Sequence, residues 1–121
     1  MNQTIAEKIL SRASGREKVK PGEYITAEID AFMCHEAFAA VFMNLSSLGI
    51  TDIPEPEKVF VFLDHYVPAS TKRAAMIHGI VRNGIKKLGI VNYYGERAGI
   101  AHQVMMEKGH VSPGSLIVGT D

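Results

Sequence analysis

Five consecutive apolar residues, Val59-Phe60-Val61-Phe62-Leu63, held between Lys58 and Asp64, constrain this chain more than any other feature. The run is far too short to cross a bilayer, which takes about 20 residues as a helix. A strand with one wet face would alternate apolar and polar side chains. A short, uninterrupted run suits a strand covered on both faces, as strands of a parallel sheet are.

The rest of the chain alternates between strand and helix patterns. Thr4 followed three residues later by Glu7 is a capping box, and Ile5, Ile9 and Ala13 share one helical face. Residues 15–22 form a polar loop ending in the Pro21-Gly22 turn. Residues 24–30 alternate, with Ile25, Ala27 and Ile29 opposite Tyr24, Thr26 and Glu28, which predicts a strand with one buried face. Residues 36–48 place Ala37, Ala40, Val41, Leu45 and Leu48 at helical spacing, with Gly49 as the stop. A connector containing Pro54 and Pro56 leads to the apolar run. Residues 70–88 predict a second long helix with Ile77, Ile80, Val81, Ile85 and Leu88 on its buried stripe, Lys86 and Lys87 in its last turn and Gly89 beyond it. A strand over 90–94, a short helix over 100–107, the Pro113-Gly114 turn and a last strand over 116–118 complete the chain. The expected fold class is α/β, with three layers around a mostly parallel sheet. Its 121 residues are the length of one domain, 1–121.

Composition narrows the function classes. Formal net charge is zero and the Lys and Arg are scattered, so neither nucleic acid nor an anionic membrane is an expected partner. The opening residues lack the basic and apolar regions of a signal peptide. Cys34 is the single cysteine, which excludes an internal disulfide and suits a cytoplasmic setting. No GxGxxG follows the first strand, which argues against a nucleotide-binding domain.

In open parallel sheets, ligands bind beyond the carboxyl ends of the strands. The run 59–63 feeds Asp64-His65, the last strand leads through Gly119-Thr120 to Asp121, the first strand feeds Cys34-His35-Glu36, and the loop 95–99 precedes His102. An Asp beside a His can orient the imidazole and raise its basicity, as acid–base chemistry requires. Taken singly, each has a plainer reading. A histidine after a strand is commonly a loop residue, and a loop arginine such as Arg97 is commonly solvated. His78 within a helix and His110 in a polar loop read as surface or packing residues, and Cys34 as a small buried hydrophobe. Convergence on one sheet edge raises the functional reading.

The text also resembles a known family. Thr4-Ile5-Ala6-Glu7-Lys8-Ile9-Leu10 and Pro21-Gly22-Glu23 are similar to the opening of the aconitase/isopropylmalate dehydratase large subunits. Asp64-His65-Tyr66-Val67-Pro68-Ala69 resembles the family's DH(F/L)VPA motif, and Gly99-Ile100-Ala101-His102-Gln103-Val104 its GI-x-HQV motif. Pro113 to Asp121 resembles its PG-x-LIVG-x-D stretch. The matches run in order along nearly the whole chain.

The resemblance implies the N-terminal part of a larger [4Fe–4S] hydro-lyase, most closely a 3-isopropylmalate dehydratase, with homoaconitate or malate-type dehydratases next. It implies a small hydroxy-acid substrate and a small dehydratase subunit as partner. By resemblance, His65 with Asp64 would protonate the leaving hydroxyl, His102 and Asp121 would join the shell around the substrate, and His35 would contact it. No metal ligand is expected in this chain, because the family's cluster cysteines lie beyond residue 121 and a cubane takes several thiolates. Residues 1–121 alone are therefore expected to be inactive and free of cluster, and to self-associate through surface that later segments would cover. Where the family shows His-Asp-x-Thr or Gln-Asp-x-Thr, this chain has His35-Glu36-Ala37-Phe38. That departure implies a different or more apolar pocket, or a shifted segment. A freestanding, non-catalytic binding domain is the competing class.

Overall fold

The computed structural model describes residues 3–121. Its elements run α1 (Ile5–Ser14), β1 (Ala31–Cys34), α2 (Phe38–Ser47), β2 (Val59–Phe62), α3 (Lys72–Lys87), β3 (Asn92–Tyr94), α4 (Ala101–Glu107) and β4 (Ile117–Gly119), with a single 3-10 turn at Pro56–Lys58 before β2. The four strands form one parallel sheet in the order β3-β2-β1-β4.

The side-chain alternation of β1 and β2 sorts the core into two layers. Cys34, Val61 and Leu63 face Phe38, Ala39, Phe42, Val81 and Ile85 of α2 and α3. Ala31, Met33, Phe60 and Phe62 face Ala101, Val104 and Met105 of α4. Helices thus cover both faces, and the sheet is the middle of three layers. The continuous apolar run of β2 is explained by this arrangement, since Phe60, Val61, Phe62 and Leu63 are all buried, alternately on the two faces.

Local signals place the helices. Thr4 and Glu7 close the capping box on α1: the Thr4 hydroxyl accepts from the Glu7 amide, and the Glu7 carboxylate accepts from the Thr4 amide at 2.7 Å. The Thr71 hydroxyl caps α3 by accepting from Ala74 N–H. Gly49 and Gly89 end α2 and α3 at positive φ, where an L side chain is strained. The helices α2 and α3 approach so closely that a Cβ on Gly84 would stand 2.6 Å from Phe42 Cγ and 3.0 Å from Phe38 Cε1.

Two expectations need correction. Residues 24–30 do alternate, with Ile25, Ala27 and Ile29 half-buried, but among the described residues they form no strand. Glu28 N–H bonds Ala13 carbonyl, and ladder geometry begins only at Asp30, whose N–H donates to Leu116 carbonyl. The first strand is instead Ala31–Cys34, which pairs with β2 through Phe32, Met33 and Cys34 and with β4 through Ala31, Phe32 and Met33. The second correction concerns Phe38. Its ring is 2% exposed and packs between α2, α3 and the sheet, so it enlarges the core rather than lining a pocket at the strand ends. The cavity of about 290 Å³ that it borders includes Glu28, Ile29, Lys58 and Val59, residues that precede or open β1 and β2.

Candidate active site

The order β3-β2-β1-β4 contains a reversal. From β1 the chain steps outward through α2 and α3 to β3, then α4 carries it back across to the far side of β1. The reversal falls between β1 and β4, and open α/β sheets bind ligands in the crevice beyond the carboxyl ends of the strands at such a point. His35 and Glu36 leave β1 there, Asp64 and His65 leave the adjoining β2, and Thr120 and Asp121 leave β4.

Thr120 ties this edge together. Its N–H donates to Met33 carbonyl at 3.0 Å, its hydroxyl accepts from His35 N–H at 3.2 Å, and that hydroxyl donates to Cys34 Sγ at 3.6 Å. Ala37 N–H donates to His35 Nδ1 at 3.2 Å. The neutral tautomer this bond favours carries its proton on Nε2. The His35 and His65 rings stack with centroids 4.2 Å apart and planes 27° off parallel.

His65 Nδ1 lies 2.8 Å from Asp64 Oδ1. The other Asp64 oxygen accepts from Ala101 N–H, the first residue of α4, at 2.7 Å. The Asp64 side chain is 5% exposed, whereas that of His65 is 39% exposed. Asp64 is thus a buried anchor and His65 the group it presents. The hydrogen bond that Asp64 accepts from it holds the His65 pKa above its ordinary 6.5, against partial desolvation, and the nearby charges of Asp64, Glu36 and Asp121 act in the same raising direction. Asp121 Oδ1 stands 3.8 Å from His65 Nε2.

His102 lies on the first turn of α4, one residue after the Ala101 amide that Asp64 holds. Its side chain borders a shallow hollow with Met33, Met105, Met106, Val111, Ile117 and Gly119. Among the described residues no hydrogen bond, ion pair or ring contact joins its imidazole to His35 or His65. The geometry therefore brings Asp64, His65, His35 and Asp121 into one cluster and leaves the His102 ring beside it, linked only through the backbone.

Sequence reasoning passed over Glu36 and Thr120 as site residues. Glu36 is 4% exposed, and its Oε1 accepts from both His65 N–H at 3.0 Å and Tyr66 N–H at 3.2 Å. His78, read as a surface or packing residue, is 2% exposed and sits beneath this carboxylate with Nε2 at 3.7 Å from Oε1. The available signal was a charged residue placed directly before an apolar helix face.

His35, Glu36 and His65 offer ligand-type atoms within 4.8 Å of one another, the spacing a metal ion would require. Two of these atoms are already engaged, since His35 Nδ1 accepts from Ala37 N–H and His65 Nδ1 is bonded to Asp64, whereas Glu36 Oε2 has no hydrogen-bond partner among the described residues. The chain does not offer the ligands of an iron–sulfur cubane, which takes several thiolates. Cys34 is the single cysteine of the sequence; it is fully buried, and burial pushes its thiol pKa up. The residues present do not fit such a cluster.

Comparison with known proteins agrees with the motifs. Over 122 residues, and the whole of this chain, the sequence is 43% identical to a probable 3-isopropylmalate dehydratase large subunit of Methanothermobacter thermautotrophicus. It is 41% identical to a 3-isopropylmalate dehydratase large subunit of Aquifex aeolicus, again over the whole chain. The chain belongs to the aconitase/isopropylmalate dehydratase large-subunit family. It spans 29% and 28% of the length of those two relatives. A probable methanogen homoaconitase large subunit of Methanothermobacter is 40% identical over 126 residues, with 29% of its length covered. No family model matches the chain. Among the described residues no helix is long and apolar enough to cross a membrane.

Proposed function

We propose that this chain supplies the acid–base edge of a hydro-lyase that dehydrates and rehydrates a small 2-hydroxy acid, 3-isopropylmalate in the reading the relatives favour. The observation that carries this is the Asp64-His65 pair. A general acid needs a proton to give at working pH, and Asp64 raises the His65 pKa while fixing its Nδ1, so that Nε2 is left to face the open crevice. In this reading His65 protonates the leaving hydroxyl. His35, its Nδ1 occupied by Ala37 N–H, has Nε2–H free to donate to a substrate oxygen. Asp121, with Oδ1 3.8 Å from His65 Nε2, adds a carboxylate to this shell, and His102 joins it in this reading on the family resemblance alone.

The whole enzyme of this reading works with a small dehydratase subunit, in the cytoplasm, in leucine biosynthesis. Homoaconitate is the second substrate reading, on the 40% identity to the homoaconitase relative. Residues 1–121 alone are expected to catalyse nothing.

The test is a chimera in which residues 1–121 replace the matching segment of the Methanothermobacter 3-isopropylmalate dehydratase large subunit, assayed with its small subunit on isopropylmalate and homocitrate. Activity that survives the exchange and falls at least a hundredfold in His65→Ala supports the reading, since a positioned acid contributes about 10²–10⁴-fold. An active chimera that keeps its rate in His65→Ala refutes the role given to His65.

A further inference from the structure

The buried carboxylate of Glu36 has work to do that neither the family motif nor the acid–base reading assigns. It is 96% removed from solvent, in a place where an unpaired charge is costly. One of its oxygens is doubly engaged, by His65 N–H and Tyr66 N–H. The other, Oε2, has no hydrogen-bond partner among the described residues and lies 3.6 Å from His35 Nδ1 and 3.7 Å from His65 Nδ1. Groups face this carboxylate from three directions: His35 on its own segment, His65 from the end of β2, and His78 from α3.

We propose that Glu36 is a positioning residue, which fastens the turn after β2 to the end of β1 and so holds the His65 ring in its stack on His35 and its bond to Asp64. The register explains why a long side chain is needed. Cys34 is paired with Val61, so Glu36 stands two residues past that level while His65 stands four past it. The side chain must reach forward along the strand direction to meet the two amides. An Asp would fall short by about one C–C bond, ~1.5 Å, and an acceptor withdrawn that far from a 3.0 Å contact no longer makes a hydrogen bond. Gln has the same reach and keeps the accepting oxygen. The proposal therefore separates length from charge: Glu36→Gln preserves the function and Glu36→Asp loses it.

That the held ring is an acid rests on the reading above; that it is held does not. The experiment uses the 121-residue chain and follows amide hydrogen exchange at His65 and Tyr66, with the titration of the His65 ring, by NMR. The wild type and Glu36→Gln are expected to protect both amides and to keep His65 titrating above its ordinary range. Glu36→Asp and Glu36→Ala are expected to lose at least tenfold in protection at these amides, and the His65 midpoint is expected to fall. Protection at Val81, in the α2–α3 core, serves as the folding control. Should Glu36→Ala not fold, the Gln and Asp variants decide the matter alone. Unchanged protection and an unchanged His65 midpoint in folded Glu36→Asp would overturn the proposal, as would loss of both in folded Glu36→Gln. In the chimera, a Glu36→Asp defect rescued by Glu36→Gln extends the positioning role to turnover. A chimera indifferent to His65→Ala, with the exchange results intact, would remove the acid reading and leave the positioning role standing.

Discussion

Replacing Asp64 with Asn tests how one carboxylate can serve a helix and a histidine together. The two oxygens of Asp64 accept on opposite sides, from Ala101 N–H at 2.7 Å and at His65 Nδ1 at 2.8 Å. Asn has one acceptor. If its oxygen stays with Ala101, its amide NH2 meets His65 Nδ1, which then has to accept rather than donate. The imidazolium is disfavoured and the His65 midpoint falls. If the oxygen stays with His65, the NH2 opposes the Ala101 N–H and leaves a buried donor unmatched. Either way the loss is one charge-assisted hydrogen bond or one stranded donor, about 1–3 kcal/mol. The pH dependence follows from the direction of the shift. A histidine whose folded pKa is raised stabilises the native state fully below its unfolded value, near 6.5, and that contribution disappears as pH rises through the raised folded value. Asp64→Asn should therefore cost more stability at pH 5.5 than at pH 9, where neutral His65 can accept from the Asn amide. Urea unfolding at the two pH values, with the His65 titration, measures both quantities. A His65 midpoint in Asp64→Asn at or above that of the wild type would refute the reasoning, and so would a stability loss that grows with pH.

Three further outcomes follow from packing and surface. Gly79→Ala, on an open stretch of α3, should stabilise by about 0.5–1 kcal/mol through helix propensity, whereas Gly84→Ala on the same helix should be destabilised by about 1–3 kcal/mol through contact with Phe42 and Phe38. Equal urea midpoints for the two variants would contradict the close α2–α3 approach. The chain should self-associate with rising concentration in sedimentation, through the apolar side chains exposed on and beside α4 and β4, among them Ile100, Met106, Val111 and Val118; a monomer at millimolar concentration would count against this. Anaerobic incubation with iron and sulfide should yield no stable cluster absorbance, because Cys34 is a single, buried thiol, and stoichiometric cluster formation by the monomer would overturn that expectation.

Much of the fold was legible because the signals were local. The capping box at Thr4, the glycine stops at Gly49 and Gly89 and the apolar run of β2 each sit within a few residues of what they determine. The first strand was misplaced because residues 24–30 have the alternation of a strand without its partners. Ala31-Phe32-Met33-Cys34 has the partners and little β propensity, and it is a strand because β2 and β4 pair with it on both sides. The Asp64-His65 pair could be read because its members are adjacent in sequence. The engagement of Glu36 with amides 29 and 30 residues away could not, nor could that of Thr120 with His35 across 85. Such contacts depend on strand order, and strand order is not written in any local pattern.

Strand order is also what makes an edge of ordinary loop residues into a candidate site. With helices between parallel strands, β4 could have joined the sheet next to β3 and still satisfied every local rule. His35 would then have lost the Thr120 hydroxyl, which is held to the end of β1 by its own bond to Met33 carbonyl. Because α4 returns the chain across the opposite face, its first amide instead arrives at the end of β2 and is taken up by Asp64. The same return sets β4 against β1 and brings Asp121 to 3.8 Å from His65 Nε2. One topological choice thus places the anchor, the ring it presents and the facing carboxylate together. Each of these contacts joins segments that belong to different strand–helix units. The Asp64 carboxylate is therefore the point at which the helix on one face and the histidine cluster at the strand ends share a single buried charge. A substitution that disturbs α4 packing at Val104 or Met105, neither of which touches His65, should consequently shift the His65 titration through the Ala101 amide.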